Sequence, residues 1–356
     1  MNTLLSKKKV VLGLSGGVDS TSAALLLKEQ GYEVISLFFD ICKDKGDTAY
    51  NAEKVAAELG IKFVYKNMYT EFYNQVVNNF VEEYLCGRTP NPCIVCNPWI
   101  KFKVLIETAN EEGAFYIASG HYANTIYNEE LKTYHIKVAS NIKKDQSYML
   151  YRLPSTTIER LILPLAEYED KEIIRNIAKN NEMSNANQKD SQEICFIENG
   201  KNYIDFLNEN GYKSKKGNFI DKEGNILGKH QGISKYTIGQ RKGLGITFGK
   251  PVFVTKINHI DNTVTLGDSE DLFENKIPLT GCYFQASDSN EVPKELLGRN
   301  LTAKIRYAAK PAKGEIIINE GITFFEFREK QRASTPGQSV VIYLEDQVVG
   351  GGFIKN

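Results

Sequence analysis

Between Lys9 and Ser119, short apolar runs alternate with segments whose apolar residues recur at helical spacing. Four runs predict strands: 9–14, 33–39, 62–65 and 114–119. Three segments predict helices, each followed within two residues by a glycine: 21–29, 48–59 and 102–111. This alternation of strands and helices favours an α/β domain built on a parallel sheet with helices on both faces.

The texture of the chain changes after about Gly200, where glycines become frequent and long helical patterns stop. From about Leu279, short segments of alternating apolar and polar residues are separated by Gly and Pro: 303–307, 315–318, 323–327 and 339–343. Such segments are typical of antiparallel strands, and we expect them to form a small β-barrel.

The chain has 356 residues, of which 42% are hydrophobic and 25% are charged, as is ordinary for a globular protein. Its 44 basic and 44 acidic residues cancel, so the bulk charge gives no sign of a nucleic-acid partner. No apolar run approaches the ~18 residues of a membrane span, and the first residues do not follow a signal-peptide pattern. We therefore expect a cytoplasmic protein with no membrane partner.

A glycine-rich loop, LGLSGGVDS at 12–20, follows the first predicted strand and precedes the first predicted helix. Its backbone N–H groups and the Ser15 and Ser20 hydroxyls are suited to hold an anion such as a phosphate. The loop is neither a Walker loop nor a dinucleotide fingerprint, because it has neither GKS/T nor GxGxxG. It resembles the pyrophosphate-binding loop of the N-type ATP pyrophosphatases, the PP-loop enzymes, which cleave ATP to AMP and pyrophosphate.

That resemblance implies an ATP site at the loop, with Asp19 helping to place Mg²⁺. The residues it assigns to ATP are Gly13, Leu14, Ser15, Gly16, Gly17, Val18, Asp19 and Ser20.

The six cysteines are too few for a disulfide scaffold, and in a reducing compartment such thiols are more often catalytic or metal-binding. Cys93 and Cys96 form a C-x-x-C pair in a proline-rich loop, and Cys195 lies in the segment KDSQEICF. A zinc half-site and ordinary packed thiols are the alternatives, although no second C-x-x-C stands nearby. Cys42 and Cys282 have unremarkable contexts, whereas Cys86 lies only seven residues before Cys93.

Motifs along nearly the whole chain resemble, in the same order, those of the tRNA-specific 2-thiouridylase family: GRTPNPCIVCNPWIKF, ASGHYA, KDQSYMLYRL, KDSQEICFI, YTIGQRKGLGI, AKIRY and TPGQ. The resemblance implies a PP-loop catalytic domain at 1–205, a small central domain at 206–275 and a β-barrel at 276–356. It also implies thiolation at C2 of the wobble uridine in lysine, glutamate and glutamine tRNAs. A donor protein fed by a cysteine desulfurase would supply the sulfur.

The same resemblance assigns individual roles. Cys96 matches the catalytic cysteine and Cys195 the cysteine that carries a persulfide, and the two would form a transient disulfide. Phe39 and Gly120 match further nucleotide contacts. The positions that match tRNA contacts are Asn91, Pro92, Cys93, His121, Lys144, Asp145, Gln146, Arg306, Tyr307 and Gln338.

The chain departs from the family pattern at Cys93, where the family usually has an aspartate that transfers protons. A thiol is a much weaker acid than a carboxylic acid, so the two are not equivalent. Cys93 is therefore either an alternative acid–base group or, with Cys96 and Cys195, a ligand of an iron–sulfur cluster that holds the incoming sulfide. The segment 40–50 is also shorter than the acidic loop of the family.

The segment 213–256 is locally basic, with ten Lys or Arg against two acids. This excess indicates contact with an RNA backbone, and the alternative is a solvated lysine-rich surface. Two rival functions remain at this stage: an ATP pyrophosphatase that forms an amide, which needs no paired thiols, and a non-catalytic tRNA-binding relative.

Overall fold

The computed structural model describes residues 5–188, 194–198, 200–246 and 249–355. The first seven strands are β1 (Ser6–Gly13), β2 (Glu33–Asp40), β3 (Lys62–Asn67), β4 (Ala114–Ala118), β5 (Asn124–Asn128), β6 (Thr133–Lys137) and β7 (Leu161–Ile162). Five of them form a parallel sheet in the order β3-β2-β1-β4-β7. The predicted α/β class is therefore confirmed.

The α-helices are α1 (Val18–Glu29), α2 (Asp47–Leu59), α3 (Tyr69–Phe72), α4 (Asn78–Leu85), α5 (Pro92–Cys96), α6 (Phe102–Glu111), α7 (Ser155–Glu159), α8 (Lys171–Asn180) and α9 (Tyr203–Glu209). Two π-helical turns join neighbouring helices: Tyr73–Val77 lies between α3 and α4, and Asn97–Lys101 lies between α5 and α6. Within the described residues, none of the helices has the length and hydrophobicity needed to cross a bilayer.

Strand β1 is apolar without interruption because both of its faces are covered. Val11 packs in one core cluster with α6, whereas Val10 and Leu12 pack in a second cluster with α1 and α2. Successive side chains of a strand point to opposite faces, so a strand with helices on both sides needs no polar positions. This two-sided burial fixes the end of β1, from which the glycine-rich loop leaves.

The central part of the chain forms a small sheet with strands β8 (Gly217–Ile220), β9 (Ile226–His230), β10 (Phe253–Asn258) and β11 (Thr263–Gly267). Its order is β10-β11-β8-β9. Phe219, Val254 and Val264 are fully buried in its core, so this domain has a core of its own.

The last six strands are β12 (Phe273–Phe284), β13 (Leu301–Lys304), β14 (Ala312–Asn319), β15 (Ile322–Arg332), β16 (Ser339–Leu344) and β17 (Gln347–Ile354). They close into an antiparallel barrel because β12 pairs with both β15 and β17. The β5–β6 hairpin of the catalytic domain adds to β17 and so extends the barrel sheet. The predicted barrel is confirmed, whereas its junction with a catalytic-domain hairpin was not predicted.

The elements differ from the sequence prediction in a few places. Helix α1 begins at Val18 rather than Thr21, because the chain turns into the helix directly after Gly17. The predicted strand at 303–307 ends at Lys304, since a turn follows in which the Ala309 N–H bonds to the Arg306 carbonyl. The exact domain limits, 1–205, 206–275 and 276–356, remain predictions.

Candidate active site

The proline-rich cysteine loop lies where the three domains meet. The Thr89 N–H donates to the Pro336 carbonyl and the Thr89 carbonyl accepts from the Gln338 side chain, both at 2.8 Å, so the barrel holds one side of the loop. From the central domain, the Thr237 hydroxyl approaches that of Thr89 at 3.3 Å. The loop is therefore fixed by residues far away in sequence.

The sequence of the loop itself starts helix α5. The Asn91 side chain accepts a hydrogen bond from the Cys93 N–H at 3.2 Å, and Pro92 occupies the first helical position. Both residue types are favoured at those positions, asparagine because it caps and proline because its φ is already helical. Met149 adds a second support, because its carbonyl accepts from the Asn97 side chain at 2.9 Å.

Cys195 lies beside this helix. Its neighbours Ile194 and Phe196 pack against the same buried apolar cluster as Val95 and Cys96. In this contact the ring centroids of Phe196 and Phe80 are 5.1 Å apart. All six cysteines of the chain are free thiols in the structure. The three cysteines selected from the sequence are thus brought together, although 99 positions separate Cys96 from Cys195.

Desolvation by the surrounding protein controls the ionisation of these thiols, although Cys93 and Cys195 are exposed as whole residues. Loss of solvent raises the pKa of Cys96 to about 11 and that of Cys195 to about 12, and it also raises the pKa of Cys93. The Lys101 ammonium acts on all three thiols in the opposite direction but is outweighed. The positive charge that a reactive thiol requires is present, yet the resting groups are protonated at neutral pH.

His121 connects Lys101 to the sheet. The Lys101 ammonium donates to His121 Nε2 at 3.4 Å, and His121 Nδ1 is 2.7 Å from the Ser119 hydroxyl. An ammonium group only donates, so Nε2 is the acceptor and Nδ1 carries the proton. Burial, followed by the charge of Lys101, holds the pKa of His121 well below its usual range. His121 is therefore a neutral group that positions Lys101.

The glycine-rich loop has the geometry of an anion cradle. Gly16 has a φ of +77°, and a Cβ there would stand 3.2 Å from the Ala52 nitrogen, so only glycine fits without strain. The Ser20 hydroxyl donates to the Gly17 carbonyl at 2.9 Å and accepts from the Ser15 N–H at 3.3 Å. The loop is thus held by its own side chains before any ligand binds.

Asn185 clamps the same loop from the segment that leads toward Cys195. Its side-chain NH₂ donates to the Gly16 carbonyl at 2.6 Å and to the Thr21 hydroxyl at 2.8 Å. Among the described residues, none provides a hydrogen-bond partner for the buried Asn185 Oδ1 atom. Burying an unpaired acceptor costs free energy. The two hydrogen bonds that the Asn185 nitrogen donates offset that cost.

Asp19 lies at the start of α1 between two partners. Its carboxylate accepts from the Tyr122 hydroxyl at 3.0 Å and pairs with the Lys171 ammonium at 3.1 Å. Mg²⁺ is usually held by one or two carboxylates together with substrate phosphates, and a carboxylate beside an anion loop fits that pattern. The predicted magnesium role of Asp19 remains a prediction.

Gly120 brings the two halves of the site together. A Cβ on Gly120 would lie 3.2 Å from the Asp19 carbonyl carbon and from the Ser20 nitrogen, so the chain after β4 touches the start of α1. The next residue, His121, contacts Lys101. A continuous path therefore runs from the phosphate loop to the thiols. Phe39, the other predicted nucleotide contact, is partly buried near the end of β2, between two core clusters.

The predicted tRNA contacts of the catalytic domain and the barrel lie side by side. The Tyr307 ring meets the Tyr148 ring at 6.2 Å, next to the loop of Lys144, Asp145 and Gln146. Lys304 stands over Tyr307 at 5.6 Å, and Arg306 is exposed. Two other positions make bonds within the protein. Asp145 is buried and accepts from the Ser147 hydroxyl, and Gln146 accepts from the Tyr122 N–H.

The central domain is less basic than its segment count indicates. Lys222 pairs with Asp271 at 2.5 Å and Lys250 pairs with Asp268 at 2.8 Å, and both acids lie outside 213–256. Over the whole predicted domain, 206–275, ten basic residues face eight acidic ones, so the basic excess is small.

The placement of the three thiols bears on the iron–sulfur alternative. Among the described residues, no group of three His, Cys, Asp or Glu side chains has an arrangement that could hold a metal ion. The thiols as placed therefore do not fit an iron–sulfur cluster.

Comparison with known proteins decides the family. Three family models match in order: a tRNA methyl transferase HUP domain at 8–199, a tRNA methyl transferase PRC-barrel domain at 204–268 and an aminomethyltransferase beta-barrel domain at 284–354. The tRNA-specific 2-thiouridylase MnmA 1 of Clostridium botulinum (strain Okra / Type B1) is 46% identical, and the alignment covers 99% of each chain. This chain belongs to the tRNA-specific 2-thiouridylase family. The family recognised from the motifs and the enzyme class, a tRNA sulfurtransferase, are thereby confirmed.

Two further similar proteins differ in what they add to the family assignment. The 2-thiouridylase of Clostridioides difficile (strain 630) is 44% identical over 99% of each chain. Among solved structures, NMN synthetase from Francisella tularensis is 14% identical with a TM-score of 0.33, covering 52% of this chain and 67% of that one. That structural likeness is too distant to add to the assignment.

Several residues of the site were not predicted. Lys101, Ser119, Asn185 and Lys171 act through contacts across the fold, and neither their spacing nor their neighbours in sequence single them out. Lys101 alone carried a signal, because it is the next-to-last residue of the motif GRTPNPCIVCNPWIKF and lies five positions after Cys96.

We expect Lys101→Met to slow the alkylation of Cys96 by iodoacetamide roughly threefold to tenfold, because the lost cation raises the thiol pKa further. In the unchanged enzyme the rate should rise with pH up to about 11, as the thiol with its raised pKa ionises. Mass spectrometry of the Cys96 peptide measures both rates. Lys103→Met is the matched control, since the exposed Lys103 is paired only weakly with Glu107. Equal rates in the two variants would contradict the role of Lys101.

Asn185→Ala should weaken the binding of MgATP roughly tenfold, because two hydrogen bonds that shape the phosphate loop are lost. Calorimetric titration with a non-hydrolysable ATP analogue measures the change. The control is Asn187→Ala, an exposed asparagine on the same segment. Unchanged affinity in Asn185→Ala would show that the loop holds its shape without the clamp.

Proposed function

We propose that this protein uses ATP to replace the C2 oxygen of the wobble uridine of tRNA with sulfur. One observation supports the proposal: a path of contacts runs from the phosphate loop through Gly120 and His121 to Lys101 and the thiols, as expected if a nucleotide site and a sulfur site act together. An amide-forming ATP pyrophosphatase needs no such pair of thiols. The 2-thiouridylase names of the full-length relatives support the same conclusion.

The chemistry explains why both sites are needed. The C2 carbonyl of uridine resembles a urea and is a poor electrophile, so its oxygen first attacks the α-phosphate of ATP and pyrophosphate leaves. The terminal sulfur of a Cys195 persulfide then adds to C2, and AMP departs with the oxygen. Cys96 next attacks the Cys195 sulfur, which forms a Cys96–Cys195 disulfide and leaves the thiocarbonyl on the base.

Each part of the site has a task in this sequence. The N–H groups and hydroxyls of 13–20 hold the phosphates, and Asp19 would hold Mg²⁺, which neutralises phosphate charge when bound. Lys101 favours the thiolate of Cys96 at the moment of attack, and His121 keeps Lys101 in place. Asn91, Pro92 and Cys93 line the position of the base, which is extruded from its stack for reaction.

The surfaces around the site support tRNA and a sulfur donor as partners. Arg306 and Tyr307 of the barrel stand next to the loop of Lys144. The basic segment 213–256 of the central domain supplies further positive charge for an RNA backbone. The tRNAs would be those for lysine, glutamate and glutamine. Cys195 is exposed, as a thiol that receives sulfur from a donor protein must be, and a cysteine desulfurase would feed that donor in the cytoplasm.

Cys195→Ser should abolish 2-thiolation of an unmodified tRNA transcript but keep tRNA-dependent release of pyrophosphate, because adenylation precedes sulfur transfer. Mass spectrometry of digested tRNA and a pyrophosphate assay measure the two steps. Cys282→Ser is the matched control, because Cys282 packs beside the barrel core. Full thiolation by Cys195→Ser would refute the persulfide role. Pyrophosphate release without any need for tRNA would favour a different acceptor, and tRNA binding without release would indicate a non-catalytic relative.

Protein purified without oxygen should be active, lack the broad visible absorption of an iron–sulfur cluster and contain no iron in proportion to activity. The reason is that the thiols as placed do not form a cluster site. Absorbance and elemental iron analysis of the same sample provide the measurement. Iron and visible absorption that rise together with activity would replace the persulfide route with cluster-bound sulfide.

A further inference from the structure

We propose that Cys93 is a second resolving thiol, which attacks the Cys96 sulfur of the Cys96–Cys195 disulfide and transfers that disulfide to the Cys93–Cys96 pair. The step frees Cys195 to receive the next sulfur atom. This inference rests on the proposed persulfide route and deepens it. It gives a task to the residue at which the chain departs from the usual family pattern.

The helix geometry allows the new disulfide. Cys93 and Cys96 are three residues apart in α5, and residues at this spacing on a helix have Cβ atoms about 5–6 Å apart. A disulfide needs Cα atoms about 4.4–6.8 Å apart with Cβ atoms able to turn toward each other, which a small adjustment of one helical turn provides. Asn91 caps this turn and Pro92 starts it, so the two cysteines share one short, defined segment.

The third sulfur is within reach of the same turn. Ile194 and Phe196, on either side of Cys195, pack against the same buried apolar cluster as Val95 and Cys96. The charges of the three thiols also act on one another, as expected of neighbouring groups. The three remaining thiols have other neighbours: Cys42 interacts with Asp40, Cys86 with Arg88 and Cys282 with Arg152.

The exchange balances without a further oxidant. The Cys93 sulfur gives up its proton and forms a bond to the Cys96 sulfur while the Cys96–Cys195 bond breaks, and the Cys195 sulfur leaves as a thiolate that takes up a proton. The number of disulfides stays at one, so no net oxidation or reduction occurs. Lys101 acts on all three sulfurs and favours both the attacking and the leaving thiolate.

The relay changes what must be reduced between turnovers. Without it, the disulfide involves Cys195, so the sulfur carrier stays blocked until a reductant reaches it. With it, the disulfide ends on the exposed Cys93 and the partly buried Cys96, and a dithiol reductant resets the pair at Cys93. An aspartate at this position can transfer a proton but cannot take over a disulfide.

A single turnover without added reductant tests the relay. Enzyme loaded with persulfide on Cys195 is mixed with ATP and a tRNA transcript, quenched in acid, alkylated and mapped by mass spectrometry. We expect the unchanged enzyme to yield thiolated tRNA, a Cys93–Cys96 disulfide and an alkylated Cys195. In Cys93→Ser, the disulfide that accompanies each thiolated tRNA should be Cys96–Cys195, with loss of Cys195 alkylation, whatever the yield of product. Cys86→Ser is the matched control and should behave as the unchanged enzyme.

The outcomes separate this inference from the proposed function. Thiolated tRNA together with a Cys96–Cys195 disulfide and an alkylated Cys93 in the unchanged enzyme would overturn the relay and leave the function intact. No thiolated tRNA from the unchanged enzyme would overturn both. If Cys93→Ser forms no product, the disulfide found in the unchanged enzyme decides the question alone.

Discussion

The close approach of Gly120 to the start of α1 is the contact on which the site depends. A Cβ at Gly120 would lie only 3.2 Å from the Asp19 and Ser20 backbone, so the phosphate loop and the chain after β4 are in close contact there. His121 follows Gly120 directly and accepts a hydrogen bond from Lys101. The charge of Lys101 in turn lowers the pKa of the thiols relative to burial alone. The phosphate loop and the thiols therefore lie at the two ends of one chain of contacts. Proximity of this kind is what a reaction between two activated groups requires.

Burial and positive charge oppose each other at the thiols, and burial prevails at rest. The thiolate is the form that reacts with oxidants, so protonated sulfurs are protected while no substrate is present. Lys101 keeps the cost of ionisation lower than burial alone would make it. The π-helical turn Asn97–Lys101 contributes here, because it widens the helix between Cys96 and Lys101, and such turns are frequent at functional sites.

Local features of the fold and site were readable from the sequence, whereas contacts between distant segments were not. The apolar run of β1, the glycines of the phosphate loop and the proline-rich start of α5 each express their structure within a few residues. Asn185 and Lys171 contact the loop from more than 150 positions away in sequence. The residues next to them in sequence give no indication of these contacts. The β5–β6 hairpin was missed for the same reason, since its pairing partner β17 lies near the other end of the chain. The count over 213–256 overestimated the free positive charge of this segment, because Asp271 and Asp268 from outside it pair with Lys222 and Lys250.

The shared sheet of the hairpin and the barrel has a consequence for how the protein can be divided. His135 on β6 bonds to the Val348 carbonyl, and the Ile136 N–H bonds to the Gln285 side chain, so the hairpin is sealed by barrel residues. Expressed without residues 276–356, the catalytic part would present an open strand edge and an uncovered apolar face, both of which promote aggregation. The hairpin and the barrel thus form one continuous sheet, although the small central sheet stands between them in sequence.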